Sequence, residues 1–128
     1  MIKKNQDNKN HKILFIDDEN DIVSLFKDVL DDLLPSSTIN TENCGRTAME
    51  RITKDPNYYD LVITDLRMPN GNGLKVVKLC NELNIKVIIH SSNYSSYHIH
   101  LKDKKFEAID KPASGEMFGE KVIDCLAA

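Results

Sequence analysis

The apolar positions of this chain fall into two patterns. Short continuous runs suit strands buried on both faces, and longer stretches with an apolar residue every three or four positions suit amphipathic helices. A first strand is predicted at 12–16. The helix after it has Ile22, Leu25, Phe26, Val29, Leu30 and Leu33 on one face, is capped by Asn20 or a neighbouring aspartate, and stops at Pro35. A short strand at 38–42 leads to a helix at 46–54 with Ala48, Met49 and Ile52 apolar, closed by Pro56. A third strand is predicted at 59–64 and a turn at 69–73, from its Pro, Asn and Gly content. A helix at 74–83 then places Val76, Leu79, Cys80 and Leu83 on one face, before a strand at 86–90. The stretch 93–105 spaces Tyr94, Tyr97 and Leu101 helically but uses mediocre helix formers, which predicts a short or irregular helix. A strand at 106–110 and a helix at 116–126, with Phe118, Val122, Cys125 and Leu126 inward, complete the pattern.

Regular alternation of strand and helix argues for a parallel sheet covered by helices on both faces. The 128 residues suffice for one domain that folds without disulfides or structural metal. That domain is expected over residues 11–128, after a polar Lys/Asn-rich tail at 1–10 expected to be disordered. A net charge of -3 gives no nucleic-acid footprint, and Asp103 and Glu107 interrupt the basic group Lys102, Lys104 and Lys105. Cys44, Cys80 and Cys125 form no C-x-x-C pair, so free buried thiols are expected. No apolar run approaches membrane-spanning length and no signal peptide is present, which points to a cytoplasmic protein without membrane contact.

Chemistry gathers where the apolar runs end. Ile13-Leu14-Phe15-Ile16 is followed by Asp17-Asp18-Glu19, and Leu61-Val62-Ile63-Thr64 by Asp65-Leu66-Arg67-Met68-Pro69. Two later runs end at Ser91-Ser92 and at Lys111-Pro112. Parallel strands deliver their carboxyl ends to one edge, where ligands bind in open α/β sheets. Carboxylates about 4 Å apart repel by roughly 1 to 4 kcal/mol per pair, which a hard divalent cation relieves. Mg²⁺ suits such a site because it takes a few carboxylates and keeps waters. Asp65 is the candidate nucleophile toward phosphorus, forming an acyl phosphate. Lys111 offers a point charge and Ser91 a hydrogen bond to the phosphoryl oxygens.

Each residue also has a plain structural reading. Asp17-Asp18 can cap a helix, Asp65 can be a turn residue, Ser91-Ser92 can start a loop, and Lys111-Pro112 can end a strand. The joint pattern, each of these residues at the carboxyl end of a predicted strand, favours the chemical reading. The five glycines fit neither the Walker A nor the dinucleotide pattern, so the phosphoryl group is expected on a partner or small donor. His11, His90, His98 and His100 are read as surface or partly buried residues, ahead of a phosphohistidine role.

From residue 12 to 126 the chain resembles the receiver domains of bacterial two-component response regulators. The resemblance rests on Ile16-Asp17-Asp18-Glu19, Asp65-Leu66-Arg67-Met68-Pro69 with Gly71 and Gly73, Ser91, and Lys111-Pro112. It implies a flavodoxin-like (βα)₅ fold with strand order 2-1-3-4-5. It also implies that Asp65 accepts a phosphoryl group from a histidine kinase or phosphotransfer protein. Asp18, Asp65 and the backbone carbonyl of Arg67 would bind Mg²⁺, with Asp17 acting largely through water. Lys111 would pair with a phosphoryl oxygen across a Lys111–Pro112 bond that is often cis in relatives, and Ser91 would occupy the switch position. The chain departs from the family three residues before the lysine, where relatives usually carry Tyr or Phe and this sequence has Ala108. The phosphorylation chemistry therefore reads as intact and the usual output switch as altered.

The expected function is that of a phosphoacceptor domain whose output is a contact with a downstream protein. One alternative is a binding module of the same fold that works without phosphorylation. Another is a phosphatase with an aspartate nucleophile, which usually wants an acid/base aspartate two residues on, where Arg67 stands.

Overall fold

The computed structural model describes residues 9–68, 73–92 and 94–127. Strands β1 (Lys12–Ile16), β2 (Thr38–Glu42), β3 (Leu61–Thr64), β4 (Lys86–Ser91) and β5 (Glu107–Asp110) alternate with helices α1 (Asn20–Leu33), α2 (Gly45–Lys54), α3 (Gly73–Leu83), α4 (His98–Leu101) and α5 (Gly115–Ala127). The strands form one parallel sheet in the order β2-β1-β3-β4-β5. This is the flavodoxin-like (βα)₅ sandwich that the resemblance implies. Residues 1–8 of the expected tail and 69–72 of the expected turn lie outside the described residues.

The strand pattern sorts the core into two layers. Leu14, Ile16, Val62, Val87 and Ile89 meet Ala48 and Ile52 of α2 and Val76, Val77 and Cys80 of α3. Ile13, Phe15, Leu61, Ile63 and Ile88 meet Phe26 and Leu30 of α1 and Phe118 and Val122 of α5. β1 and β3 lie between both layers, so Ile13 through Ile16 and Leu61 through Ile63 are all fully buried. Alternation of side chains along a strand produces the sorting, and continuous apolar runs are what two covered faces require.

Several local expectations change. Leu25 is 56% exposed, because it sits at the edge of the α1 stripe centred on Phe26 and Leu30. α1 has no side-chain cap: Glu19 stands at the cap position, and its N–H donates to Asp17 Oδ1 at 2.9 Å. The third strand starts at Leu61 rather than Tyr59, and the fifth at Glu107 rather than Phe106. Cys80 and Cys125 are buried, but Cys44 is only half-buried at the entry to α2. The 93–105 stretch contains a 3₁₀ turn at Tyr94–Tyr97 running into the one-turn α4, in line with its weak helix formers.

His90 departs furthest from expectation. It is 1% exposed, on the α1/α5 side of β4. Its ring lies 5.1 Å from those of Phe26 and Phe118 and 6.3 Å from that of Phe15. Among the described residues neither ring nitrogen has a hydrogen-bond partner. Period-2 alternation places residue 90 on the same face as Ile88, which the polar character of histidine hides in the sequence.

Candidate functional site: a carboxylate cleft at the strand ends

The sheet register sets the site. Ile16 pairs with Glu42 on one side and Thr64 on the other, so Asp17 and Asp65 leave neighbouring strands at the same level. The ladder continues past the strands: Asp17 N–H donates to Glu42 O and Asp65 N–H to Ile16 O, both at 3.1 Å. On the far side, Ser91 pairs with Asp110, and Lys111 N–H donates to Ser91 O at 3.3 Å. The Lys111–Pro112 peptide is cis, as the resemblance implies.

Lys111 Nζ is the centre of the arrangement. It donates to Asp17 Oδ2 at 2.9 Å, Asp65 Oδ2 at 3.0 Å and Glu19 Oε1 at 3.3 Å. Burial works against its positive charge, but the hydrogen bonds and charges of Asp17 and Asp65 outweigh that and hold its pKa above the ordinary lysine value. Asp17 is fully buried. Burial raises its pKa despite the Glu19 N–H and the Lys111 ammonium, both of which favour the carboxylate.

Asp65 is 8% exposed, with Oδ1 accepting the Leu66 N–H at 2.7 Å and Oδ2 turned to Lys111. Asp18 is exposed at the rim. Oxygen atoms of Asp17, Asp18 and Asp65 lie within 4.8 Å of one another. Such an all-oxygen set fits a hard cation such as Mg²⁺ and offers no soft ligand. Asp17, Asp65 and Glu19 contact the Lys111 ammonium and Asp18 stands beside the two aspartates, a surplus of negative charge that a divalent cation would relieve.

A cleft of about 690 Å³ opens over these groups. Asp18, Glu19, Asp65 and Lys111 line one part of it, and Arg67, Met68, Ser91, Ser92 and Tyr97 the rest. The sequence-predicted residues therefore converge: Asp17, Asp18, Asp65 and Lys111 in direct contact or close approach, and Ser91 and Arg67 on the same cleft.

Three participants carry no assigned role in the sequence reading. Glu19 stands beside the two aspartates but shows its role only through its contact with Lys111. Tyr97 reaches the cleft from the 3₁₀ turn and packs half-buried on the α2/α3 layer. Gly73 begins α3, and its N–H donates to Leu66 O at 2.9 Å. A Cβ built on Gly73 would overlap the carbonyl oxygen of Asp65 and crowd the Leu66 backbone. This glycine is thus needed for close approach behind the candidate nucleophile. Its place at the end of the expected turn was visible, but its approach to the Asp65 and Leu66 backbone was not.

Ala108 pairs with Ile89 in the β4–β5 register and is half-buried, with only a methyl group at that position.

The sequence profile of response regulator receiver domains matches residues 13–122. The two-component response regulator ARR10 of Arabidopsis thaliana is 28% identical over 100 residues, covering 77% of this chain and 18% of that protein. The chain thus spans less than a fifth of that relative. A response regulator receiver domain protein from Clostridium thermocellum superposes with a TM-score of 0.79 at 24% identity, covering 91% of this chain and 94% of that one. The response regulator TrrA of Thermotoga maritima, solved in complex with Mg(2+)-BeF, gives a TM-score of 0.74 at 28% identity, with 90% and 98% covered. Among the described residues no helix is long and apolar enough to cross a membrane.

Proposed function

The chain belongs to the response regulator receiver domain family, and on that premise we propose that it takes a phosphoryl group on Asp65 from a phosphohistidine and signals through protein contact. The donor is a histidine kinase or a phosphotransfer protein, and the setting is the cytoplasm. The observation that carries the reading is the Asp65 carboxylate, held between the Leu66 N–H and the Lys111 ammonium at the floor of a cleft that Asp18 and Ser91 also line.

In the reaction an Asp65 oxygen attacks phosphorus, the P–N bond to the donor imidazole breaks, and the leaving nitrogen takes its electron pair and then a proton. The protein's task is positioning and charge neutralisation. Lys111 pairs with a phosphoryl oxygen, and Ser91 donates to another. A bound Mg²⁺ would neutralise phosphoryl charge and relieve carboxylate repulsion. Asp18, Asp65 and the Arg67 carbonyl would hold it, with Asp17 acting through water. Members of this family are signalling domains rather than turnover enzymes. Arg67, exposed where a phosphatase needs its acid/base, supports that side.

The test is intact mass after incubation with acetyl phosphate and Mg²⁺. One phosphoryl adduct, lost with chelator and in Asp65→Asn, supports the proposal. No adduct, even with phosphorylated kinase as donor, overturns it.

Ala108 favours a second reading, in which this surface holds a partner regardless of phosphorylation. Equal partner binding by wild type and Asp65→Asn, with and without acetyl phosphate, would support it.

A further inference from the structure

Lys111 has three N–H donors, and in this structure each has a carboxylate partner. Pairing with a phosphoryl oxygen requires at least one to be given up. The three partners are unequal. Asp17 is fully buried, so losing its cation would strand a buried charge. Asp65 is the group that receives phosphorus, and its own negative charge passes to the phosphoryl oxygens. Glu19 holds the longest contact, at 3.3 Å, and its side chain is 61% exposed. Water can solvate it at once when it lets go. Glu19 also lines the cleft, where its charge faces any incoming anion.

We infer that Glu19 is a positioning residue: it occupies one Lys111 donor in the resting state and competes with the phosphoryl group for it. The inference rests on the proposed function, because the competing anion is the phosphoryl group on Asp65. It adds a residue that tunes how readily the cleft takes that group, and so how far small anionic donors can charge the protein without a kinase.

The experiment titrates beryllofluoride, a phosphoryl mimic, into the Mg²⁺-containing protein and follows the Ser91 and Lys111 amide resonances. Wild type, Glu19→Gln and Glu19→Asp are compared. Glu19→Gln is expected to reach half-saturation at about two- to five-fold lower beryllofluoride, the range for an exposed ion pair. The gain should shrink in about 1 M salt, where the Debye length is about 3 Å. Glu19→Asp keeps the charge but withdraws it from Lys111 by one methylene, so it should follow Glu19→Gln. Unfolding midpoints should agree for all three, since the side chain is exposed.

Glu19→Gln with wild-type half-saturation, or weaker binding, overturns the role. Glu19→Asp that matches wild type overturns the positioning contact in favour of charge alone. If wild type takes up neither beryllofluoride nor a phosphoryl group from any donor, the proposed function fails and this inference with it. Uptake by wild type with no change in Glu19→Gln removes only the inference.

Discussion

Replacing His90 by leucine should flatten the acid side of the stability profile. Desolvation is the main cause that pushes the His90 pKa from 6.5 down to about 4, and the Lys111 charge adds to it while the Asp65 charge opposes it. The unfolded chain therefore binds a proton at this residue before the folded one does, and folding loses stability as pH falls below 6.5. At about 1.36 kcal/mol per pH unit, the full gap comes to about 3 kcal/mol, reached only below the folded pKa. By pH 5 the linkage expression gives about 2 kcal/mol relative to neutral pH. The leucine variant lacks this linkage. It also removes two buried nitrogens without partners, groups that cost about 1–3 kcal/mol when left unsatisfied. At pH 7.5 it should be more stable than wild type by about 1 kcal/mol, allowing for imperfect repacking among Phe15, Phe26 and Phe118. Urea unfolding at pH 7.5 and 5.0 measures both numbers, and the carboxylates common to the two proteins cancel in the difference. Parallel pH profiles, or a variant less stable at both pH values, would show that His90 is not the buried neutral group assumed.

Gly73→Ala should destabilise by about 1–3 kcal/mol and slow adduct formation, because the added methyl meets Asp65 and Leu66 backbone that has no side-chain freedom to move; unfolding and intact mass report both. Lys111→Met should cost about 3 kcal/mol by stranding the buried Asp17, with most of that recovered in the double variant Asp17→Asn/Lys111→Met; additive single costs would show the pair is not coupled. Mg²⁺ at about 100 times its dissociation constant should stabilise the fold by about 2.7 kcal/mol, reversibly with chelator. Asp18→Asn should lose most of that shift, and an unchanged shift would move the ion elsewhere.

A parallel sheet covered on both faces could be read from the sequence because buried parallel strands impose continuous apolar runs, and β1 and β3 show them without interruption, whereas the strand order came only with the resemblance to receiver domains. Asp17, Asp65, Ser91 and Lys111 were legible for a related reason: each follows or ends such a run, and parallel strands bring those ends together. Contacts set by the third dimension were not legible. Glu19 is only the third acid of the Asp17-Asp18-Glu19 run until Lys111 is seen 3.3 Å away. Gly73 reads as a turn glycine until the Asp65 carbonyl is seen against it. His90 reads as a polar strand end, and only its aromatic neighbours show that it is core. Leu25 fits the helical period yet faces solvent, since period alone does not fix the width of the covered stripe.

The central claim is that Asp65 carries the phosphoryl group. Its most direct test is to phosphorylate the protein in Mg²⁺, trap the acyl phosphate by borohydride reduction, and map the modified residue by peptide mass spectrometry. Reduction at Asp65 alone, absent without donor or Mg²⁺, is the expected result. A trapped residue elsewhere, or a phosphoryl group that resists reduction and maps to Ser91 or a histidine, would contradict it.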